Sequence, residues 1–349
     1  MIERYFPWVD HLRLLAKAPP QIRYIPRALV YNSLILFQQP FHWLELLFWH
    51  RKIKKQTISH PPIFVLGYWR SGTTYLQRLL CQNPKLAYLE QYESLLPLGA
   101  IIHKRLFGPI LNSIFKTFKV KHPSHGVPLT THFPSEEDIA LCSAAYPFTP
   151  MQSHIYSARA EYFLDQYLIL KKDSKAFNRF VRMIRYFIQR LTYTNQGKQL
   201  VLKSPCNTTK IPELLAAFPN AKFVYISRNP KEVYFSNMKL FNNNSIQWLQ
   251  EMPKEEMQTL FLSTYPKVIN HYKQTKHLIP KDNLVELEFE TLCKQPTLTL
   301  RKIYEQLELP NYQATSSLVE VFLEKHHEKQ RYYYNEKLPP SIKNLFEQY

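Results

Sequence analysis

Only 6 of the 349 residues are glycine, and two of them, Gly67 and Gly72, bracket a single short loop. Glycine is the residue that enters positive φ at no steric cost, so a chain this poor in it has few places to fold backbone tightly around a ligand. The segment IFVLGYWRSGTTYLQRLLCQNP reads as a buried strand, that loop, a helix, and a stop at Asn83-Pro84. A loop feeding a helix N-terminus offers unpaired N–H groups to an anion.

Four residues separate Gly67 from Gly72, as in the phosphate-loop pattern G-x-x-x-x-G-K-[ST], but Thr73-Thr74 stand where Lys followed by Ser or Thr would be. That lysine reaches the β- and γ-phosphates in nucleoside triphosphatases, so its loss makes a P-loop kinase or NTPase the weaker alternative. Arg70 supplies the charge instead, flanked by the hydroxyls of Ser71, Thr73 and Thr74.

Three more apolar runs, Gln199–Lys203, Asn283–Phe289 and Lys222–Ser227, read as strands, and the stretch from Ile211 to Phe218 reads as an amphipathic helix between two of them. Strands alternating with such helices predict an α/β fold: a P-loop-like parallel β-sheet flanked by helices. A largely helical insertion at about 100–195, with a Pro- and His-containing loop near 122–135, is expected to form the acceptor side. Residues 1–58 are expected to be a helical segment packed on one α/β domain over 59–349.

A second anion site is predicted after the strand KFVYIS. Arg228 stands at its C-terminal edge, where ligands bind in open α/β sheets, and Ser236 lies eight residues on in a helix begun by Pro230. Two anion sites on one sheet suit a nucleotide with phosphates at both ends. The formal charge of +18 agrees with an anionic partner without selecting one. Four scattered cysteines and no His/Cys ligand spacing give no reason to expect disulfides or zinc.

The loop Arg70-Ser71-Gly72-Thr73-Thr74 and the segment Arg228-Asn229-Pro230-Lys231-Glu232-Val233-Tyr234-Phe235-Ser236 resemble the PAPS-dependent sulfotransferase superfamily, in its bacterial-type, arginine-loop branch. The blocks LVLKSPCNTTKIPELLAAFPNAKFVYISRNP and FETLCKQPTLTLRKIYEQLELP extend the resemblance over about residues 60–310. It implies that the first loop binds the 5′-phosphosulfate through Arg70, Ser71, Gly72, Thr73 and Thr74, that Arg228 and Ser236 bind the 3′-phosphate, and that Arg70 and Lys203 stabilise the leaving 3′,5′-adenosine bisphosphate. It also implies that no metal is required, with Thr74 at a position that binds Mg²⁺ in other phosphate loops. Two departures stand out: Trp69 replaces the usual proline, and no glycine follows Gly197, which leaves Lys329 and Arg331 as candidates for the C-terminal nucleotide anchor.

Relatives with an arginine loop carry a glutamate about 20 residues later as general base. Glu93, preceded by Tyr92, is the preferred match, with Glu90 second, and His132, Glu136, Glu137 and Asp138 of THFPSEEDIAL as further alternatives. The plain reading of that acidic trio is a helix start capped by Ser135. Aromatic richness, with 23 Tyr and 22 Phe, points to a small-molecule acceptor of lipophilic character, a sterol, lipid alcohol or phenol, with carbohydrate or tyrosyl hydroxyls as alternatives and no role for nucleic acid. The N-terminus lacks the form of a signal peptide, and a cytoplasmic location is expected. From Ala28 to His50 the apolar run is interrupted by Gln38, Gln39, Pro40, His42 and Glu45. It reads as two helices broken at Pro40, either packed on the domain or resting on a membrane surface.

Overall fold

The computed structural model describes residues 7–121, 127–144, 149–241, 248–325 and 336–347. Lys329, Arg331 and residues 122–126 of the Pro- and His-containing loop lie outside them. The chain begins with helices α1 (Pro7–Lys17), α2 (Ile25–Phe48) and α3 (His50–Lys55), then strand β1 (Ile63–Leu66), α4 (Thr73–Leu80), β2 (Leu86–Tyr88) and α5 (Gln91–Leu95). The insertion follows as α6 (Ala100–Thr117), α7 (Glu137–Ser143), α8 (Gln152–Ile155), α9 (Ala160–Tyr167) and α10 (Lys175–Thr194). Then come β3 (Gln199–Lys203), α11 (Ile211–Ala217), β4 (Lys222–Ser227), α12 (Pro230–Phe241), α13 (Lys254–Thr275) and β5 (Leu284–Glu288). Helices α14 (Phe289–Lys294), α15 (Pro296–Gln306), α16 (Tyr312–Lys325) and α17 (Pro340–Phe346) complete it.

The five strands form one parallel sheet in the order β2-β3-β1-β4-β5, with Phe64 level with Leu202 on one side and Phe223 on the other. Side chains alternate across a pleat. One face therefore presents Phe64, Leu66, Leu200, Leu202 and Phe223 to a core shared with α10 and α11. The opposite face presents Ile63, Val65, Val201, Val224 and Ile226 to a second core shared with α4, α15 and α16. Both faces being covered is why β1, β3 and β4 read as unbroken apolar runs. Because β1 lies between β3 and β4, the chain must cross over it between those two strands. The C-terminal ends of all three therefore lie side by side along one edge of the sheet, the usual ligand position in such folds.

The break expected at Pro40 is absent, since α2 runs through it as one helix. A buried row along α2 holds both halves in line. Before the proline, Gln38 Oε1 accepts from Leu98 N at 3.0 Å; after it, Glu45 pairs with Arg190 at 2.9 Å. Those contacts offset the hydrogen bond that the proline forgoes. The N-terminal helices pack on the insertion, with Leu14, Tyr31 and Ile35 against Tyr156 and Phe163, and against Leu249 between α12 and α13.

Candidate active site

Gly67 closes β1 with φ +154°, and its amide donates to Thr208 Oγ1 at 2.8 Å while the Thr208 hydroxyl donates back to Gly67 O at 2.9 Å. A Cβ at Gly67 would stand 2.5 Å from Ser71 Oγ and 2.7 Å from Ile226 O. At Gly72, where φ is +103°, a Cβ would lie 2.2 Å from the ring of Phe289. Both positions therefore require glycine, one for packing against β4 and one also for its left-handed backbone. Between them Arg70 adopts φ +70°, which turns its side chain across the loop toward α12.

There the two predicted anion sites meet. Arg70 Nε donates to Ser236 Oγ at 2.9 Å, and Arg228 Nη1 donates to the Arg70 carbonyl at 3.1 Å. Asn237 Nδ2 donates to Trp69 O at 3.0 Å. The guanidinium of Arg228 also sits 4.7 Å from the ring centroid of Phe289 and 3.8 Å from Glu232. Cationic stacking on Phe289 fixes the plane of Arg228, so the same ring orients one motif and covers the glycine of the other.

Lys203, at the end of β3, is almost wholly buried and reaches the loop, its Nζ donating to Thr74 Oγ1 at 3.1 Å and pairing with Glu136. The acidic trio is more than the helix start expected of it. Ser135 does not cap α7; its hydroxyl donates to Ser94 Oγ at 2.7 Å, and the N-cap is Glu136 without a side-chain cap. Glu137 accepts from Lys203 N at 3.1 Å and from Asn207 Nδ2, while Asp138 accepts from Ser204 Oγ at 2.5 Å and Thr149 Oγ1 at 3.1 Å. The trio thus grips the turn after β3. Buried N–H and hydroxyl groups of that turn need acceptors, and the carboxylates of Glu137 and Asp138 supply them. Burial, with Asp138 beside it, pushes the Glu137 carboxyl up to about 8, and burial also raises Asp138.

Glu93 sits in a neighbouring cluster on α5. It is buried and accepts from Lys104 Nζ at 3.2 Å; Lys104 also pairs with Glu90 at 3.1 Å, and Glu90 with His132 at 3.0 Å. The two glutamates raise the Lys104 pKa despite its burial. The structure therefore brings Arg70, Ser71, Thr73, Thr74, Lys203, Arg228 and Ser236 together and holds Glu93, Glu90 and His132 in a separate network. Thr208, Asn207, Asn237 and Phe289 were not picked out as site residues. Thr208 and Asn207 lie in SPCNTT, where small polar residues after a strand read as an ordinary turn, yet both are buried.

The cradle suits a polyanion. Ser71 Oγ, Trp69 Nε1 and Arg228 Nε are buried without a hydrogen-bond partner, and all three are donors gathered on the loop and on the strand end facing it. Buried donors left unpaired cost free energy that an oxyanion would recover.

A sequence profile of the Sulfotransferase family matches residues 61–314, which span both the Arg70 loop and the Arg228–Ser236 segment. The chain belongs to the sulfotransferase family. It is accordingly a sulfotransferase enzyme. Among curated relatives, omega-hydroxy-beta-dihydromenaquinone-9 sulfotransferase Stf3 of Mycobacterium bovis is 27% identical over 286 residues, 81% of this chain and 72% of that protein. The fold is similar to that of the sulfotransferase STF9 from Mycobacterium avium, with a TM-score of 0.73 at 17% identity over 99% of this chain and 90% of that one. It is also similar to STF1 from Mycobacterium tuberculosis H37Rv, with a TM-score of 0.69 at 15% identity over 90% and 85%.

Proposed function

We propose that this sulfotransferase moves the sulfuryl group of PAPS to the hydroxyl of a lipophilic small molecule, giving a sulfate ester and 3′,5′-adenosine bisphosphate. The observation that carries the reading is the contact between the two motifs: the Arg70 loop and the Arg228–Ser236 segment form one hydrogen-bonded unit. A donor bearing anionic groups at both ends of an adenosine is the chemistry such a unit fits. When bound, it supplies an activated S–O bond whose cleavage leaves charge on the 5′-phosphate.

In this reading the chain's own residues position and neutralise. The amides after Gly67 and the hydroxyls of Ser71, Thr73 and Thr74 hold the 5′ end, and Arg228 and Ser236 hold the 3′ end. Arg70 and Lys203 stand where negative charge develops, and such preorganised donors contribute most of the rate in transfers of this type. Glu136 keeps Lys203 aimed at the loop. Glu93 takes the proton of the acceptor hydroxyl, held in place by Lys104 Nζ at 3.2 Å.

Two observations support a lipophilic acceptor. The Stf3 relative is named for a hydroxylated dihydromenaquinone. Next to Glu93, Tyr92 donates or accepts at His103 Nδ1 at 2.7 Å, and the rings of Phe37 and Phe41 close on the same histidine. The test is calorimetry with 3′,5′-adenosine bisphosphate, followed by an acceptor panel with labelled PAPS spanning sterols, lipid alcohols, phenols, sugars and tyrosyl peptides. Tight binding that ignores Mg²⁺, and label transfer to lipid alcohols, is expected. Preference for ATP–Mg²⁺ would overturn the donor, and transfer confined to sugars or peptides would overturn the acceptor.

A further inference from the structure

Helix α2, besides burying Ala28, Tyr31 and Ile35, carries an inverted pattern along the rest of its length. Its polar residues Gln38, Gln39, His42 and Glu45 are buried, while Leu29, Val30, Trp43, Leu47 and Phe48 face outward, Leu47 at 72% exposure and Leu29 at 62%. A helix bordering water shows the reverse pattern. Helix α6 lies beside it, with Phe107 against Phe37 at 5.4 Å between ring centroids, and turns Leu106, Ile110 and Ile114 outward in the same way. The two rows make one apolar surface far beyond the scattered exposed leucines of an ordinary protein surface.

Its border is basic. Arg51, Lys52, Lys54 and Lys55 on α3 begin three residues after Phe48 and are all exposed, and Arg105 and Lys116 are exposed on α6. On α2, α3 and α6 the one carboxylate is Glu45, which faces inward onto Arg190. Among the described residues no helix is long and apolar enough to cross a membrane.

We infer that the α2–α6 face docks on an anionic lipid bilayer, with the apolar row at the boundary of headgroups and acyl chains and the basic border on the phosphates. Charge complementarity selects this occupant over a second copy of the chain. A copy with the same net charge of +18 would bring an identical basic border to the contact. Lys104, which holds Glu93, stands on the same helix as the outward row, so α6 separates the bilayer from the candidate base by one helix diameter, about 10 Å. The docking surface itself depends on nothing assumed about the donor nucleotide.

The full-length protein is sedimented with large unilamellar vesicles of phosphatidylcholine alone, or with about one third phosphatidylglycerol, at about 0.1 M and 0.5 M NaCl to vary screening. The wild type is expected to partition at least about tenfold more strongly onto the anionic vesicles and to lose most of that preference at high salt. Leu47→Glu with Phe48→Glu, and separately Lys52→Glu with Lys54→Glu and Lys55→Glu, should each cut binding by about tenfold or more while melting temperature and nucleotide affinity stay at wild-type values. Should the α2 pair lower the melting temperature, Leu106→Glu on α6 decides in its place. Failure of the wild type to bind anionic vesicles at low salt overturns the proposal. So does a wild-type dimer in light scattering that Leu47→Glu with Phe48→Glu dissociates while vesicle binding is unchanged. Because vesicle binding is read without turnover, its failure is distinct from failure of the PAPS assignment.

Discussion

Arg70 Nε and Ser236 Oγ lie 2.9 Å apart, so the loop cation and the hydroxyl of the second motif are one structural unit although 166 residues separate them. Residues sharing a hydrogen bond lose less when both are removed than the single losses add up to. In nucleotide affinity, the Arg70→Ala and Ser236→Ala double-mutant cycle should show a coupling of about 0.5–3 kcal/mol. Additive losses in calorimetry would mean that the contact is not maintained with ligand bound. In turnover, Arg70→Ala alone should cost at least about 10²-fold, the typical loss for one preorganised donor.

Arg228 presents its guanidinium from the face of Phe289, and its Nε is a buried donor still without a partner. Arg228→Ala should weaken 3′,5′-adenosine bisphosphate by tenfold or more, about 1.4 kcal/mol, and adenosine 5′-phosphosulfate, which lacks the 3′-phosphate, by clearly less. Equal weakening of both nucleotides would detach Arg228 from the 3′ end.

Glu93 and Glu136 can be told apart by what each substitution leaves intact. Glu93→Gln should hold nucleotide affinity while turnover on an aliphatic alcohol falls about 10²- to 10⁴-fold, with a smaller defect on phenols, whose protons leave more easily. Glu136→Gln removes the partner of Lys203 and should alter nucleotide affinity as well as rate. Full activity of Glu93→Gln on the aliphatic alcohol, with loss in Glu136→Gln, would move the base to the acidic trio.

Glu137 ties acidity to stability. Its carboxyl is raised from 4.5 to about 8 in the folded protein, so between those values the native state keeps a proton that the unfolded chain has released. Its stabilising contribution is full below about 4.5 and lost as pH rises toward about 8. His42 acts in the opposite sense: burial, then Arg190, lowers it from 6.5 to about 4, so stability falls as pH drops through that window. Melting temperature should therefore decline from about pH 6.5 to pH 8, and the decline should flatten in Glu137→Gln. Parallel wild-type and variant profiles above pH 6.5 would show that Glu137 does not hold that proton.

The sheet was legible because β1, β3 and β4 are covered on both faces and so carry uninterrupted apolar sequence, and the loop because glycine is rare enough for two to be conspicuous. Strand β5 was legible too, though at the sheet edge its burial alternates. The joining of the two anion motifs was not readable, since hydrogen bonds between residues 166 positions apart leave no periodic trace in a single chain. Nor was the grip of Glu137 and Asp138 on the turn after β3: acids at a helix start look alike whether they face solvent or a buried amide. Pro40 misled for a related reason, because what keeps α2 continuous is tertiary contact with Leu98 and Arg190.

Thr208 closes the loop by hydrogen-bonding both backbone groups of Gly67 across 141 residues, and Ser236 lies later still. Contacts of such sequence separation form only after most loop-closure entropy has been lost. A nascent chain that has released the glycine loop but not β4 and α12 consequently presents a bare strand and helix with nothing to hold Arg70 in place. Under the proposed function, nucleotide would act as a ligand only of the nearly finished protein, and any stabilisation it brings would come after the parallel sheet has been threaded, too late to guide its strands into order.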